Sequence, residues 1–133
     1  MNTVKKFPLK VQVLADDIDQ LGHANNVVYL RWAQDVAAAH WNSIANESVK
    51  QEMIWVVLRH EIDYKKQALA GETLTLYTWV VDSIGVRSTR HVEICNADDE
   101  IVAAVKTTWC LVDPVTRRPK RIPEDIKKLF IPD

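Results

Sequence analysis

The chain has 133 residues, 47% of them hydrophobic and 26% charged, and a formal net charge of −1. That size and mixture suit one globular domain with a real core, and the near-neutral balance argues against a broad nucleic-acid surface. No apolar run is long enough to cross a bilayer, and the first eight residues lack the apolar centre of a signal peptide. The expectation is a single cytoplasmic domain over residues 1–133 that engages neither nucleic acid nor membrane.

Residues 7–15 alternate. Phe7, Leu9, Val11, Val13 and Ala15 fall on one face, with Lys10 and Gln12 on the other, the period of a half-buried strand. Pro8 stands near the start, where a missing donor is tolerated. A polar stretch follows, with Asp17, Asp19, Gly22, His23, Asn25 and Asn26 crowded into residues 17–29. A turn alone would need one or two such groups, so this stretch is the candidate site. Asn25 or Asn26 can cap a helix by accepting from its first free N–H groups. The helix runs to about Ile44, with Tyr29, Ala33, Val36, Ala37, His40, Trp41 and Ile44 as an apolar stripe. The run Ala37, Ala38 and Ala39 favours helix, and Arg31 is expected to pair with Asp35 one turn on.

Residues 45–51 read as a polar loop. From Met53 the chain is strand-like, with Val56, Leu58, His60, Ile62 and Tyr64 on one face; Gly71 marks a turn. Residues 73–81 form another strand, with Leu74, Leu76, Thr78 and Val80 together. Residues 82–85 read as a turn, 86–95 as a strand, and 96–99 as a hairpin loop. Residues 101–112 are apolar on both faces, the pattern of a central strand. Pro123, Glu124 and Asp125 suit a first helical turn, so a short helix over residues 123–130 closes the chain. Cys95 and Cys110 lie in strand-like segments without metal-ligand spacing and read as buried hydrophobes of a reducing compartment. Short turns imply antiparallel neighbours. One helix can serve five strands if the sheet curls around it, and the other face, with Tyr77, Trp79 and Val81, then calls for a second copy.

This order of elements resembles the hotdog fold, an α+β fold in which a curled antiparallel five-stranded sheet wraps one long central helix. The pattern Asp17-x-Asp19-x-x-Gly22-His23-x-Asn25-Asn26-x-x-Tyr29 resembles the signature of the 4-hydroxybenzoyl-CoA thioesterase family of acyl-CoA thioesterases. The segment from Ile62 to Lys66 with Gly71, and the ending Trp109-Cys110-Leu111-Val112-Asp113, are similar to that family as well. Where many members carry a proline after the basic pair, this chain has Gln67, which changes a turn and not the chemistry.

The resemblance implies an acyl-CoA substrate, hydrolysis to a carboxylic acid and free coenzyme A, no cofactor, and a homodimer or a dimer of dimers; no metal is expected, since no His, Cys or Asp cluster has ligand spacing. It places the catalytic carboxylate, as nucleophile or general base, on Asp19, and the carbonyl-polarising backbone N–H at about Asn26. Plant acyl-carrier-protein thioesterases have a similar stretch in which the positions of Asp19 and His23 are both catalytic; their intervening asparagine is Leu21 here. Gly22, Asn25, Asn26, Tyr29, Arg87 and Ser88 are the implied substrate-binding positions. Lys65, Lys66, Arg87, Arg90, Arg117, Arg118 and Lys120 are candidates for a cationic rim that meets coenzyme A phosphates. Asp17 reads as structural, and His40 and His60 as core histidines. Two rival functions stand beside the hydrolase. A hotdog enoyl-thioester hydratase or dehydratase would carry asparagine and proline between acid and histidine, and residues 20–22 hold neither. A non-catalytic acyl-thioester-binding protein would not need Asp19.

Overall fold

The computed structural model describes residues 5–131. The first strand, β1 (Phe7–Gln12), turns Phe7, Leu9 and Val11 inward. It ends before Ala15, because residues 15–17 close a single 3-10 turn in which the Asp17 carboxylate accepts the Leu14 N–H at 2.9 Å. The long helix α1 (Asn26–Ile44) is capped by Asn25, whose side-chain oxygen accepts the Val27 N–H at 3.2 Å. Its buried stripe is wider than the spacing suggests. Val28 and Trp32 join Tyr29, Ala33, Val36, Ala37 and His40, while Trp41 and Ile44 are only half-buried.

Residues 45–51 are not a loop throughout. Asn46 accepts the Val49 N–H at 2.9 Å and starts a short helix, α2 (Glu47–Glu52). Four strands follow: β2 (Ile54–Tyr64), β3 (Thr73–Ile84), β4 (Arg87–Cys95) and β5 (Ile101–Val112), then α3 (Glu124–Phe130). The sheet order is β1-β3-β4-β5-β2, every pair antiparallel. β4 therefore holds the centre, and the mostly apolar β5 lies between it and the edge strand β2. The strand pair expected to turn at residues 82–85 runs on to Ile84 and turns at Gly85, whose φ of 65° suits a residue without a side chain.

Three register breaks curl the sheet around α1: between Val57 and Arg59, between Val80 and Asp82, and between Ile94 and Cys95. The first reverses the inward phase of β2. Trp55 and Val57 face in before it, His60 and Ile62 after it, and Val56 and Leu58, expected on the His60 face, are exposed. Leu74, Leu76, Thr78 and Val80 all face inward as the alternation requires. The main core gathers Tyr29, Trp32, Val36, Leu74, Leu76, Val92 and Ile94 between helix and sheet; burying each large apolar side chain is worth about 1.5–3 kcal/mol. A second cluster, Met53, Leu111, Ile122 and Ile126, seats α3 near the C-terminal end of α1. On the opposite face of the sheet, Trp79 stacks on His91 and Lys6 lies over the Trp79 ring at 4.6 Å while pairing with Glu93.

Candidate active site

Residues 17–25 form a narrow hairpin between the 3-10 turn and α1. The Asn25 N–H donates to the Asp17 carbonyl at 2.8 Å, Ile18 bridges Ala24, and the Asp19 N–H donates to the His23 carbonyl at 2.8 Å. Gly22 closes the tip with φ of 83°, a conformation that a side chain would strain. The hairpin is held to the connection between β2 and β3: the Ala24 N–H donates to the Ala68 carbonyl at 2.9 Å, and His23 bridges Leu69. Tyr29 completes the anchor. Its ring is in the core, and its hydroxyl accepts the Ala68 N–H at 3.0 Å. Tyr29, 1% exposed, stands in the core as the apolar stripe requires, and its hydroxyl braces the hairpin.

Asp19 sits at the corner of this hairpin, exposed. Its Oδ1 accepts the Leu21 N–H at 2.9 Å and the His23 N–H at 3.2 Å. Its Oδ2 accepts nothing among the described residues. At the start of α1 the Val27 N–H is taken by the cap, whereas the Asn26 N–H donates to no group among the described residues. The hydroxyl of Tyr64 donates to the Asn26 carbonyl at 3.1 Å and so orients that residue. One free carboxylate oxygen and one free helix N-terminal N–H, both on a braced loop, can serve a reaction that needs a base or nucleophile and a place for developing negative charge. The His23 ring is half-buried and forms no hydrogen bond among the described residues; only its backbone meets Asp19.

Asp17 is structural. It is 3% exposed, and its second oxygen receives the Arg31 guanidinium at 2.9 Å. Arg31 thus reaches back to the hairpin and not forward to Asp35. Burial alone would raise the Asp17 pKa; the Leu14 N–H and the Arg31 guanidinium outweigh it and hold the carboxyl below its ordinary value.

Arg87 and Ser88 do not join Asp19 within one chain. Ser88 pairs with Ser83, whereas the hairpin lies by the Thr73 end of β3. That separation is about 30 Å along the strand at ~3.3 Å per residue. Arg87 is exposed there, and Ser88 is buried and lines a cavity. Lys66 is engaged by Glu100, and Lys65, Arg117 and Arg118 are exposed. Arg90 is no rim cation. It is 4% exposed, because it stands on β4 in phase with Val92 and Ile94, which face the core.

The cavity beside Ser88 measures about 400 Å³ and lies under the C-terminal half of α1. Trp41, Trp55, Trp109 and Phe130 supply most of its apolar wall, with Arg90 and Lys50 as its cations. Arg90 Nη1 donates to His40 Nδ1 at 2.9 Å and to Thr78 Oγ1 at 3.0 Å. An arginine can only donate, so His40 Nδ1 is the acceptor and the imidazole is neutral. Burial first, and Arg90 second, push the His40 pKa down to about 4; burial brings Arg90 to about 10.

Over residues 4–130 the sequence matches the family described as the acyl-ACP thioesterase N-terminal domain. The chain belongs to this family. A chloroplastic acyl-acyl-carrier-protein hydrolase, FATB3 of Cuphea viscosissima, is 26% identical over 88 residues, 65% of this chain but only 21% of that protein. YneP of Bacillus subtilis, a candidate acyl-CoA thioesterase, is 24% identical over 113 residues, 83% of this chain and 82% of YneP. Among solved structures, the hypothetical protein SAV2348 of Staphylococcus aureus, in complex with CoA, superimposes with a TM-score of 0.84 at 15% identity, covering 97% of this chain and 84% of that one. The fold is the hotdog fold of thioesterases.

For this member of the acyl-ACP thioesterase family, the loop that carries Asp19 was legible as a linear motif, and the cavity was not. Arg90 could have been placed by the phase of β4 alone, since Ser88, Arg90, Val92 and Ile94 alternate. Tyr64 as the brace of Asn26 had no local signal: the two residues are 38 apart in sequence.

Proposed function

We propose that the chain is an acyl-CoA thioesterase of the 4-hydroxybenzoyl-CoA thioesterase type, cleaving an acyl-CoA to a carboxylic acid and free coenzyme A. The observation that carries this reading is the pairing of a free Asp19 Oδ2 with a free Asn26 N–H on one braced corner. The carbonyl oxygen of the thioester takes the Asn26 N–H. Asp19 removes a proton from water as the water oxygen bonds to the carbonyl carbon, or its own oxygen forms that bond and water releases the acid from the anhydride. The C–S bond breaks, and the leaving thiolate takes up a proton. The CoA complex of a structural relative supports coenzyme A as the carrier. The family match favours acyl-carrier protein as a second carrier. No helix of the described residues is long and apolar enough to cross a membrane. Both cysteines are buried and unpaired, which supports a reducing, cytoplasmic setting.

The working unit is a homodimer or dimer of dimers, in which the Asp19 hairpin of one copy lies beside strands of another. Leu21, Val27 and Leu69 around the hairpin are 79%, 68% and 47% exposed, an apolar rim that a second copy or the substrate would cover. Thiol release from a panel of acyl-CoA and acyl-carrier-protein substrates tests the function. Loss of enoyl absorbance without thiol release would mean a hydratase instead. Tight acyl-CoA binding with no turnover would mean a binding protein.

A further inference from the structure

The Arg90 guanidinium is buried without a counter-ion. Among the described residues no carboxylate lies within ion-pair distance of it, and all its hydrogen bonds run through Nη1. A buried charge is normally paired, because leaving it alone costs several kcal/mol. Here the neighbours are a neutral imidazole, a hydroxyl, and the Phe130 ring with its centroid 5.5 Å from Cζ. The cavity that Arg90 lines holds no aspartate or glutamate in its wall, and its other cation, Lys50, meets Glu47 at 3.3 Å. The indole N–H groups of Trp55 and Trp109 are buried and have no acceptor among the described residues, so no acceptor there competes for Arg90.

We propose that this cavity binds a carboxylate carried on an apolar body, with the anion on Arg90 and the body against Trp41, Trp55, Trp109 and Phe130. The free side of the guanidinium, Nε and Nη2, offers the paired donors that suit a carboxylate. The aromatic wall accepts an aliphatic or aromatic body. A carboxylate of this kind has two sources: a free carboxylic acid, which is the product of the proposed hydrolysis, or the far end of a dicarboxylic acyl thioester. The second source rests on the thioesterase reading above and on the Asp19 hairpin of a second copy reaching the Ser88 end of the sheet, because within one chain Arg90 lies about 23 Å from the hairpin along β3.

Three of the tryptophans in the chain line the cavity, so their fluorescence reports occupancy. The probes are octanoate, 1-octanol and suberate monomethyl ester, titrated into the whole protein. Octanoate and the monoester, each with one carboxylate, are expected to bind about tenfold or more tightly than the alcohol, the scale of a hydrogen bond to a charged group. Arg90→Met should erase that preference while leaving alcohol binding. Arg90→Met also takes the donor from His40 Nδ1 and Thr78 Oγ1, so its circular dichroism must match wild type. Ala38→Phe keeps Arg90 but narrows the cavity from its exposed side, and should weaken binding of all three probes. In the second arm, suberoyl-CoA is compared with octanoyl-CoA. A higher kcat/KM for suberoyl-CoA, lost in Arg90→Met, assigns the site to the acyl substrate; carboxylate binding without that preference assigns it to the free acid. Carboxylate binding in a protein that hydrolyses no acyl-CoA keeps this site and sinks the thioesterase. Equal affinity for octanoate and octanol, or a carboxylate preference that survives both substitutions, overturns the site.

Discussion

Asp19→Asn separates the chemistry of the corner from its architecture. Oδ1 of Asp19 accepts the Leu21 and His23 N–H groups at 2.9 and 3.2 Å, and an asparagine oxygen can accept both. The other oxygen is exposed and unpartnered, so an amide there is solvated. Stability should change by no more than about 0.5 kcal/mol, the range for surface changes that leave neighbours satisfied. What goes is the basic, negatively charged oxygen. Loss of a positioned base or nucleophile costs about a hundredfold or more in rate, or about 2.7 kcal/mol of barrier. Thiol release under saturating acyl-CoA should show that loss in kcat and not mainly in KM, where KM approximates binding. Asp17→Asn is the contrast. Asp17 is buried and its two oxygens face a backbone N–H and Arg31; the amide keeps one acceptor and turns a donor toward a donor. It should destabilise by about 1–3 kcal/mol with kcat largely kept in the folded fraction. An Asp19→Asn protein with wild-type circular dichroism and near wild-type kcat would refute the assignment of Asp19.

His23→Ala should lower kcat by about a hundredfold if the free imidazole moves a proton; a smaller loss with an unchanged pH profile would leave His23 a hairpin residue. Tyr64→Phe removes the hydroxyl on the Asn26 carbonyl and should lower kcat several-fold with little change in melting temperature, read in the same thiol assay. His40 carries a pH signature: its folded pKa of about 4 lies below the ordinary 6.5, so the unfolded chain binds the extra proton between those values. Its contribution is fully present above about 6.5 and is lost as pH falls, by up to about 1.4 kcal/mol per pH unit. Urea unfolding at a series of pH values should show that slope, and His40→Gln should reduce it.

The parts of the molecule that the chain spelled out are those set by local pattern. Asn25 as a cap, the inward run Leu74 to Val80, and the polar hairpin before the helix depend on residues a few positions apart. The misplaced parts depend on contacts that no window contains. One extra residue at Leu58 reverses the phase of β2, and nothing beside Leu58 marks it, since the bulge is set by pairing with β5. Arg31 had two acids in reach of a helical surface, and the choice of Asp17 over Asp35 followed from where the hairpin folds back. The six-residue α2 is too short for a periodic signal, and only Asn46 as its cap announced it. Asp19, Gly22, Asn25 and Asn26 share the corner before α1 because they are neighbours in sequence, whereas Arg87 and Ser88 lie at the far end of the sheet, because strand position along a sheet is a tertiary quantity.

That last separation supplies a test of the proposed assembly. Within one chain, Asp19 and Arg87 are about 30 Å apart along β3, too far to share one thioester and its nearest phosphates. A twofold axis that exchanges the two ends of the sheet would bring the hairpin of one copy to the Arg87 end of the other, and a symmetric contact makes two equal sites. Asp19→Asn and Arg87→Ala should then complement each other. Each variant alone has both of its sites damaged. In a mixed dimer, one site combines the intact Asp19 of the second variant with the intact Arg87 of the first, and the other site carries both defects. If subunits exchange at random, half of the dimers are mixed, so about a quarter of all sites become wild type. Unfolding and refolding the two variants together should raise thiol release toward that fraction at low acyl-CoA concentration, well above the mean of the two refolded separately. Size-exclusion with light scattering should show a dimer or tetramer in each sample. A monomer of full activity, or a mixture that never exceeds the mean although the subunits have exchanged, would mean that each chain builds its site alone and that Arg87 takes no part in it.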